Sequence, residues 1–207
     1  MKVFVVANPK GGSGKSTVAT NLAGLLAQKG GEVMLGDIDR QHSARQWLRL
    51  RPPDLPAIHT WDVDADDVAR PPRGTTHAVL DTPAGLHGKL LARVLRQPCR
   101  FLVPVQPSLF DILATQQFLE TLCAEKSLRK GESEVAVIGM RVDTRTRAAA
   151  ELERFFAGLD IPVLTYLRDT QNYVRAAAAG MTLFDLPASR AQPDLEQWQP
   201  IIDWVGS

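Results

Sequence analysis

The sequence predicts an α/β fold in which a mostly parallel, twisted sheet carries helices on both faces. Three observations carry that expectation. Short apolar and β-branched runs alternate with longer stretches of helical periodicity, the pattern of a parallel sheet buried on both sides. The first run, residues 3–7, passes at once into a glycine-rich turn and then a helical pattern. Acidic residues stand just after two further runs, on the carboxyl edge where open sheets of this kind hold ligands.

Taken in order, strands are expected at 3–7, 32–36, 58–61, 77–80, 101–105, 135–140 and 163–166. Each is a short run bounded by turn residues. Helices are expected at 16–29, 43–50, 88–95, 112–124, 147–157, 172–179 and 194–205, where apolar residues recur at helical spacing. Residues 51–56 and 71–74 read as loops, because paired prolines cannot extend a helix. With 207 residues, 44% hydrophobic and 23% charged, the chain is expected to form one domain, 1–207, around a substantial core.

The bulk numbers exclude several classes. A formal net charge of +1 announces no global affinity for nucleic acid, so any such binding needs a local patch. The two cysteines, Cys99 and Cys123, provide neither a disulfide framework nor a paired metal spacing. The first strand begins within two residues of Met1, so no signal peptide is expected. No apolar run approaches the ~18 residues that cross a membrane. A cytoplasmic protein is expected.

Residues 8–17 read Asn8-Pro9-Lys10-Gly11-Gly12-Ser13-Gly14-Lys15-Ser16-Thr17. A strand, a glycine-rich turn and a helix opening at Gly-Lys-Ser form the context in which backbone N–H groups cradle phosphate. The glycines let the chain curl around one anion. Lys15 can then neutralise the β- and γ-phosphates of ATP, and the Ser16 hydroxyl can ligate Mg²⁺. The predicted fold is therefore of the P-loop NTPase type.

The motif departs from the common P-loop, which would place glycine where Pro9 stands. Glycines occupy 11 and 12 instead, with a second lysine, Lys10, ahead of them. Lys-Gly-Gly-x-Gly-Lys-Ser resembles the deviant P-loop of the ParA/MinD family of dimerising ATPases. The resemblance implies that Lys10 reaches across a dimer interface to the other subunit's nucleotide, while Lys15 serves its own. The alternative is that Lys10 is a solvated loop charge.

Asp37-Ile38-Asp39-Arg40-Gln41 follows the second strand. Two carboxylates at i and i+2 on an extended segment face the same way. Facing a Mg-nucleotide, Asp39 can orient or deprotonate the attacking water, while Asp37 serves the Mg²⁺ shell or supports the P-loop. The segment is similar to the family's Asp-x-Asp-Pro-Gln motif, with Arg40 in place of the proline. The alternative is that both carboxylates cap the helix beginning near Ser43. After the fourth strand, Asp81-Thr82-Pro83-Ala84-Gly85 places a Mg²⁺-holding carboxylate at a strand end, and the resemblance makes it a nucleotide-sensing switch. The segment from Val103 to Asp111 resembles the family's dimer and pocket segment, and also reads as a turn with a helix cap at Ser108 or Asp111. At the end of the sixth strand Arg141 is a candidate for the adenine edge, with Met140 where related ATPases carry Asn.

Arginines gather after residue 140: Arg141, Arg145, Arg147, Arg154, Arg168, Arg175 and Arg190. The resemblance to the small ParA type implies sequence-independent duplex DNA binding through this half of an ATP-bound homodimer. It also implies a nucleoid-associated state and a ParB-like or other partner that stimulates hydrolysis. The counter-reading is an ordinary mixed-charge surface, since acids intersperse these arginines. The carboxyl-terminal helix carries three acids and no Lys or Arg between 194 and 205, so it does not suit a membrane surface. It is expected to pack Leu195, Trp198 and Ile202 onto the domain. The expected function is an ATPase that positions or partitions a cargo, with an ATP-switched interaction protein that ignores DNA as the alternative.

Overall fold

The computed structural model describes all 207 residues. Strands β1 (Lys2–Val6), β2 (Val33–Asp37), β3 (Ile58–His59), β4 (His77–Asp81), β5 (Arg100–Val105), β6 (Glu134–Gly139) and β7 (Val163–Tyr166) form one sheet in the order β3-β2-β4-β1-β5-β6-β7. Every pairing is parallel. Helices α1 (Lys15–Gln28), α2 (Ser43–Leu48), α3 (Gly88–Val94), α4 (Leu109–Ala124), α5 (Lys126–Arg129), α6 (Arg147–Ala157), α7 (Gln171–Ala178) and α8 (Ala188–Gly206) complete the chain, with a 3₁₀ turn at Leu183–Asp185.

Side chains alternate across each strand and so build two apolar layers. Val3, Val5 and Ala7 of the β1 region pack with Leu91 of α3, Phe118 and Leu122 of α4, and Phe156 of α6. Phe4 and Val6 face the opposite layer, with Val18, Leu22 and Leu26 of α1, Trp47 of α2 and Trp198 of α8. Helix α1 is thus sandwiched in the centre of the molecule. A side-chain carbon at Gly24 would lie 2.5 Å from Thr182 Cγ2, so only glycine lets α1 meet the 3₁₀ turn this closely.

The predicted strands and helices fall within a few residues of the observed ones, with three corrections. The short helix α5 was not expected. The third strand shrinks to two residues, because the chain leaves the sheet edge after His59. Helix α8 begins at Ala188 rather than 194 and runs through Pro193 and Pro200. Each proline removes one helical N–H donor; Pro193 is exposed and Pro200 half-buried. Burial of Ala191, Asp194, Trp198, Ile201 and Val205, at alternating spacings of three and four, holds the helix in place. Leu195 and Ile202 flank this stripe, half-buried against the same apolar layer as Trp198, as expected.

The carboxyl end of α8 is capped from the sheet. Lys2 Nζ donates to the carbonyls of Val205, Gly206 and Ser207 at 3.2–3.3 Å, and Arg100 Nη1 to Trp204 at 2.7 Å. Two cations therefore meet the negative end of the helix dipole.

Candidate nucleotide-binding site

Strand β1 delivers the glycine-rich loop to the carboxyl edge at the middle of the sheet. The buried Asn8 side chain pins its entry. Nδ2 donates to the Pro104 carbonyl at 2.8 Å and to Thr115 Oγ1 at 3.0 Å, while Oδ1 accepts the Lys10 N–H at 2.8 Å. Gly12 (φ +77°) and Gly14 (φ +97°) take the left-handed backbone that favours glycine. Gly14 also needs the space, since a Cβ there would sit 2.8 Å from Met140 Cε. Helix α1 then starts at Lys15 with no side-chain cap and no acid in its first turn. Its first N–H groups are therefore left for an anion.

Lys15 is buried, and its Nζ donates to the Lys10 carbonyl at 2.8 Å. Burial lowers its pKa, opposed by the nearby carboxylates of Asp81 and Asp39. Ser13 Oγ also donates to the Lys10 carbonyl, and Gln106 Nε2 donates to that of Gly12. The Lys10 ammonium enters none of the ion pairs.

Asp37 and Asp81 stand side by side in register at the ends of β2 and β4. Their surroundings differ. Asp37 Oδ1 accepts the Asp39 N–H at 3.1 Å, and Oδ2 accepts the Arg45 N–H at 3.0 Å in the first turn of α2. It organises the following loop and caps a helix, as the alternative reading allowed. Asp81 is buried with both oxygens lacking a hydrogen-bond partner. Burial drives its pKa up to about 7; repulsion from Asp37 and Asp39 adds to this, while the nearby Ser16 hydroxyl and Lys15 ammonium pull it down. A buried, unpartnered carboxylate beside a serine hydroxyl suits an oxygen-seeking cation such as Mg²⁺. Asp39 is half-buried; its Oδ1 accepts the Gln41 N–H at 3.0 Å, and its charge acts on both Lys15 and Asp81.

Gly11, Gly12, Ser13, Gly14, Lys15, Ser16 and Thr17 thus form one continuous cradle, with Asp37, Asp39 and Asp81 on the neighbouring strand ends. Arg141 follows strand β6. It is exposed, in left-handed backbone (φ +52°), and enters no ion pair. Met140, the residue before it, lies against the P-loop at Gly14. Ser108 caps α4, accepting the Asp111 N–H at 3.2 Å. Asn8, Thr82 and Gln106 were not singled out as site residues. Thr82 Oγ1 ties the Asp81 strand to the Val6 carbonyl at 2.9 Å.

Two surfaces adjoin the site. Leu109, Phe110 and Leu113 on the first turns of α4 are exposed, Phe110 by 73%. Among the arginines, Arg145 is held bidentately by Asp143 at 2.8–2.9 Å, and Arg168 by the buried Asp194 at 2.5 Å. Arg175 and Arg190 enter no ion pair and lie on neighbouring helices, since Asn172 of α7 donates to the Arg190 carbonyl at 3.2 Å.

The family described as the CobQ/CobB/MinD/ParA nucleotide binding domain matches residues 4–183. The chain belongs to this family. Among curated relatives, this ParA/MinD-family chain is 30% identical over 195 residues to "Maintenance of carboxysome distribution protein A" of Halothiobacillus neapolitanus, covering 89% of this chain and 88% of the relative. Among solved structures, a plasmid partition protein of Borrelia burgdorferi bound to AMPPNP superposes with a TM-score of 0.75 at 17% identity, over 98% of both chains. A Cyanothece McdA variant in complex with ATP gives 0.73 at 16%, over 97% and 96%. At such identities these structures establish the shared fold of the ParA/MinD-family chain.

Proposed function

We propose that this chain is an ATPase whose ATP–Mg²⁺ state pairs two subunits, binds duplex DNA without sequence preference and positions a cargo. Hydrolysis releases the pair. The cargo class is a plasmid, a chromosome region or a protein assembly, in keeping with the names of the relatives. The observation that carries the reading is the buried, unpartnered Asp81 beside Lys15 and the uncapped start of α1.

Each residue then has a chemical role. The N–H groups of 11–17 hold phosphate, and Lys15 leaves the Lys10 carbonyl to neutralise it. Ser16 and Asp81 would hold Mg²⁺, which supplies charge neutralisation at the phosphates. Asp37 keeps the loop carrying Asp39 in place, and Asp39 orients the attacking water. Lys10, free of ion pairs, serves the partner's nucleotide. The exposed apolar turn of α4 adjoins the loop through Gln106 and favours a paired state, because monomers rarely leave such clusters in water. Arg175 and Arg190 favour phosphate contact, since no carboxylate neutralises them.

The neutralised Arg145 and Arg168 favour the second reading, an ATP-switched interaction protein that ignores DNA. One experiment separates the two. The Asp39→Ala protein, expected to hydrolyse ATP on the order of a hundredfold more slowly than wild type, is titrated with random-sequence duplex DNA. ATP–Mg²⁺ and ADP are compared across a salt series. Binding confined to ATP and falling steeply with salt is the expected result. An ATP-dependent dimer with no DNA affinity would leave the interaction switch, and normal turnover would remove Asp39 from the chemistry. Lys10→Ala is expected to keep nucleotide affinity while weakening ATP-dependent dimerisation, read by sedimentation; an undiminished dimer would return Lys10 to an ordinary loop charge.

A further inference from the structure

Gln106 is a side chain to which the chemistry above gives no part, yet it reaches the phosphate loop from another strand. It follows β5 between Pro104 and Pro107, and its Nε2 donates to the Gly12 carbonyl. In a trans peptide the carbonyl and the next N–H point in opposite directions. Holding the Gly12 oxygen on the Gln106 side therefore sends the Ser13 N–H to the other side of the loop. Gly12 cannot hold this orientation itself, because glycine has little intrinsic preference among backbone conformations and no neighbour lies within 4 Å of where its Cβ would be.

Of the other loop carbonyls, that of Gly14 accepts the Val18 N–H of helix α1, and that of Lys10 is held only from within the loop, by Ser13 and Lys15. Lys15 has to leave it to meet a phosphate. The anchor on the Gln106 side is firmer. Pro104 is tied to Asn8 at 2.8 Å, and the Ser108 N–H closes on the Gln106 carbonyl at 2.8 Å.

We infer that Gln106 is a positioning residue for nucleotide binding. It turns the Ser13 N–H toward the phosphates and keeps the lone pairs of the Gly12 carbonyl away from them. This rests on the nucleotide-binding reading above. The function needs an amide of this length: a carboxylate has no donor and would repel the Gly12 oxygen, and asparagine is one methylene short.

The test is the affinity for mant-ATP with Mg²⁺, measured for wild type, Gln106→Ala and Gln106→Glu. Gln106→Ala should weaken binding about tenfold, the size of one hydrogen bond, and Gln106→Glu more. KM for ATP should rise with kcat retained at saturation, and the unfolding midpoint without nucleotide should stay at the wild-type value. A merely structural role would instead lower the midpoint and kcat together, which would overturn the inference. Wild-type affinity in Gln106→Ala, or a Glu variant no worse than Ala, would overturn it as well. Wild type that fails to bind mant-ATP would remove the nucleotide reading itself. Wild type that binds beside an indifferent Gln106→Ala removes only the role of Gln106.

Discussion

Lys15→Ala should lower ATP affinity by roughly two to three orders of magnitude, a loss of about 3–4 kcal/mol. The side chain is already buried at the start of α1, among the carboxylates of Asp81 and Asp39. Its ammonium is thus aimed before nucleotide arrives, and little entropy remains to be lost on binding. Its present partner is the neutral Lys10 carbonyl. Exchanging that for a polyphosphate replaces one charge–dipole contact with charge-assisted hydrogen bonds. The alanine variant also deprives Asp81 of the Lys15 charge that favours its carboxylate, so the site becomes more hostile to an anion. Titration calorimetry with ATP–Mg²⁺ reads the effect, and affinity within threefold of wild type would sink the phosphate role. The unfolding midpoint without nucleotide should not fall through loss of the charge, because burial penalises the lysine charge more than the carboxylates reward it.

The second large effect lies far from the chemistry. Asp185 in the 3₁₀ turn is buried, and both its oxygens are used. Arg51 meets Oδ2 at 3.1 Å and Oδ1 at 3.3 Å, Thr182 donates to Oδ2 through its N–H and hydroxyl at 2.8 Å, and Gln28 donates to Oδ1 at 2.8 Å. One carboxylate thereby ties the end of α1, the segment after α2 and the turn before α8. Asp185→Ala leaves the Arg51 guanidinium, whose side chain is only 5% exposed, without a counter-charge and held only by the Pro56 and Gly180 carbonyls. Breaking a buried pair from one side costs about 3–5 kcal/mol, on the order of 10 °C in melting temperature for a chain of this size. Removing both partners, as Arg51→Met with Asp185→Asn, should cost less than the two single changes added together. A single variant melting with wild type would show that the pair contributes nothing.

The same carboxylate sets a pH dependence. Burial raises its pKa, but Arg51, Thr182 and Gln28 together outweigh burial and leave it below the usual aspartate value. Its contribution is therefore fully present above the unfolded pKa of about 3.9 and is lost as pH falls through the folded value. Acid unfolding of the Asp185→Ala protein should accordingly lack this component, so its stability should fall less between pH 5 and pH 2 than that of wild type.

The glycine-rich loop was legible because it is contiguous: Lys10 to Thr17 are neighbours in sequence, and a strand, turn and helix of adjacent residues place them. Asp81 was legible for a related reason, since an acid ending an apolar strand lies on the sheet's carboxyl edge whatever the strand order. Alternation in β1 and periodicity in α1 likewise assign both apolar layers. The arginines mark the limit. Arg145 meets Asp143 two residues away, a local pairing, but Arg168, in the loop after β7, is neutralised by Asp194 on helix α8. Which cations stay free therefore depends on packing.

By itself, then, the sequence determined the parallel α/β fold, the glycine-rich loop and the acids around it, because each depends on residues close together along the chain. Only the tertiary structure decided three further things. It assigned the two oxygens of Asp37 to backbone N–H groups and left those of Asp81 unpartnered. It carried α8 through Pro193 and Pro200, since burial of Trp198 and its neighbours outweighs two missing hydrogen bonds. And it brought Gln106 to Gly12, because the sheet sets β5 directly beside β1, and no local pattern records which distant strand will become a neighbour.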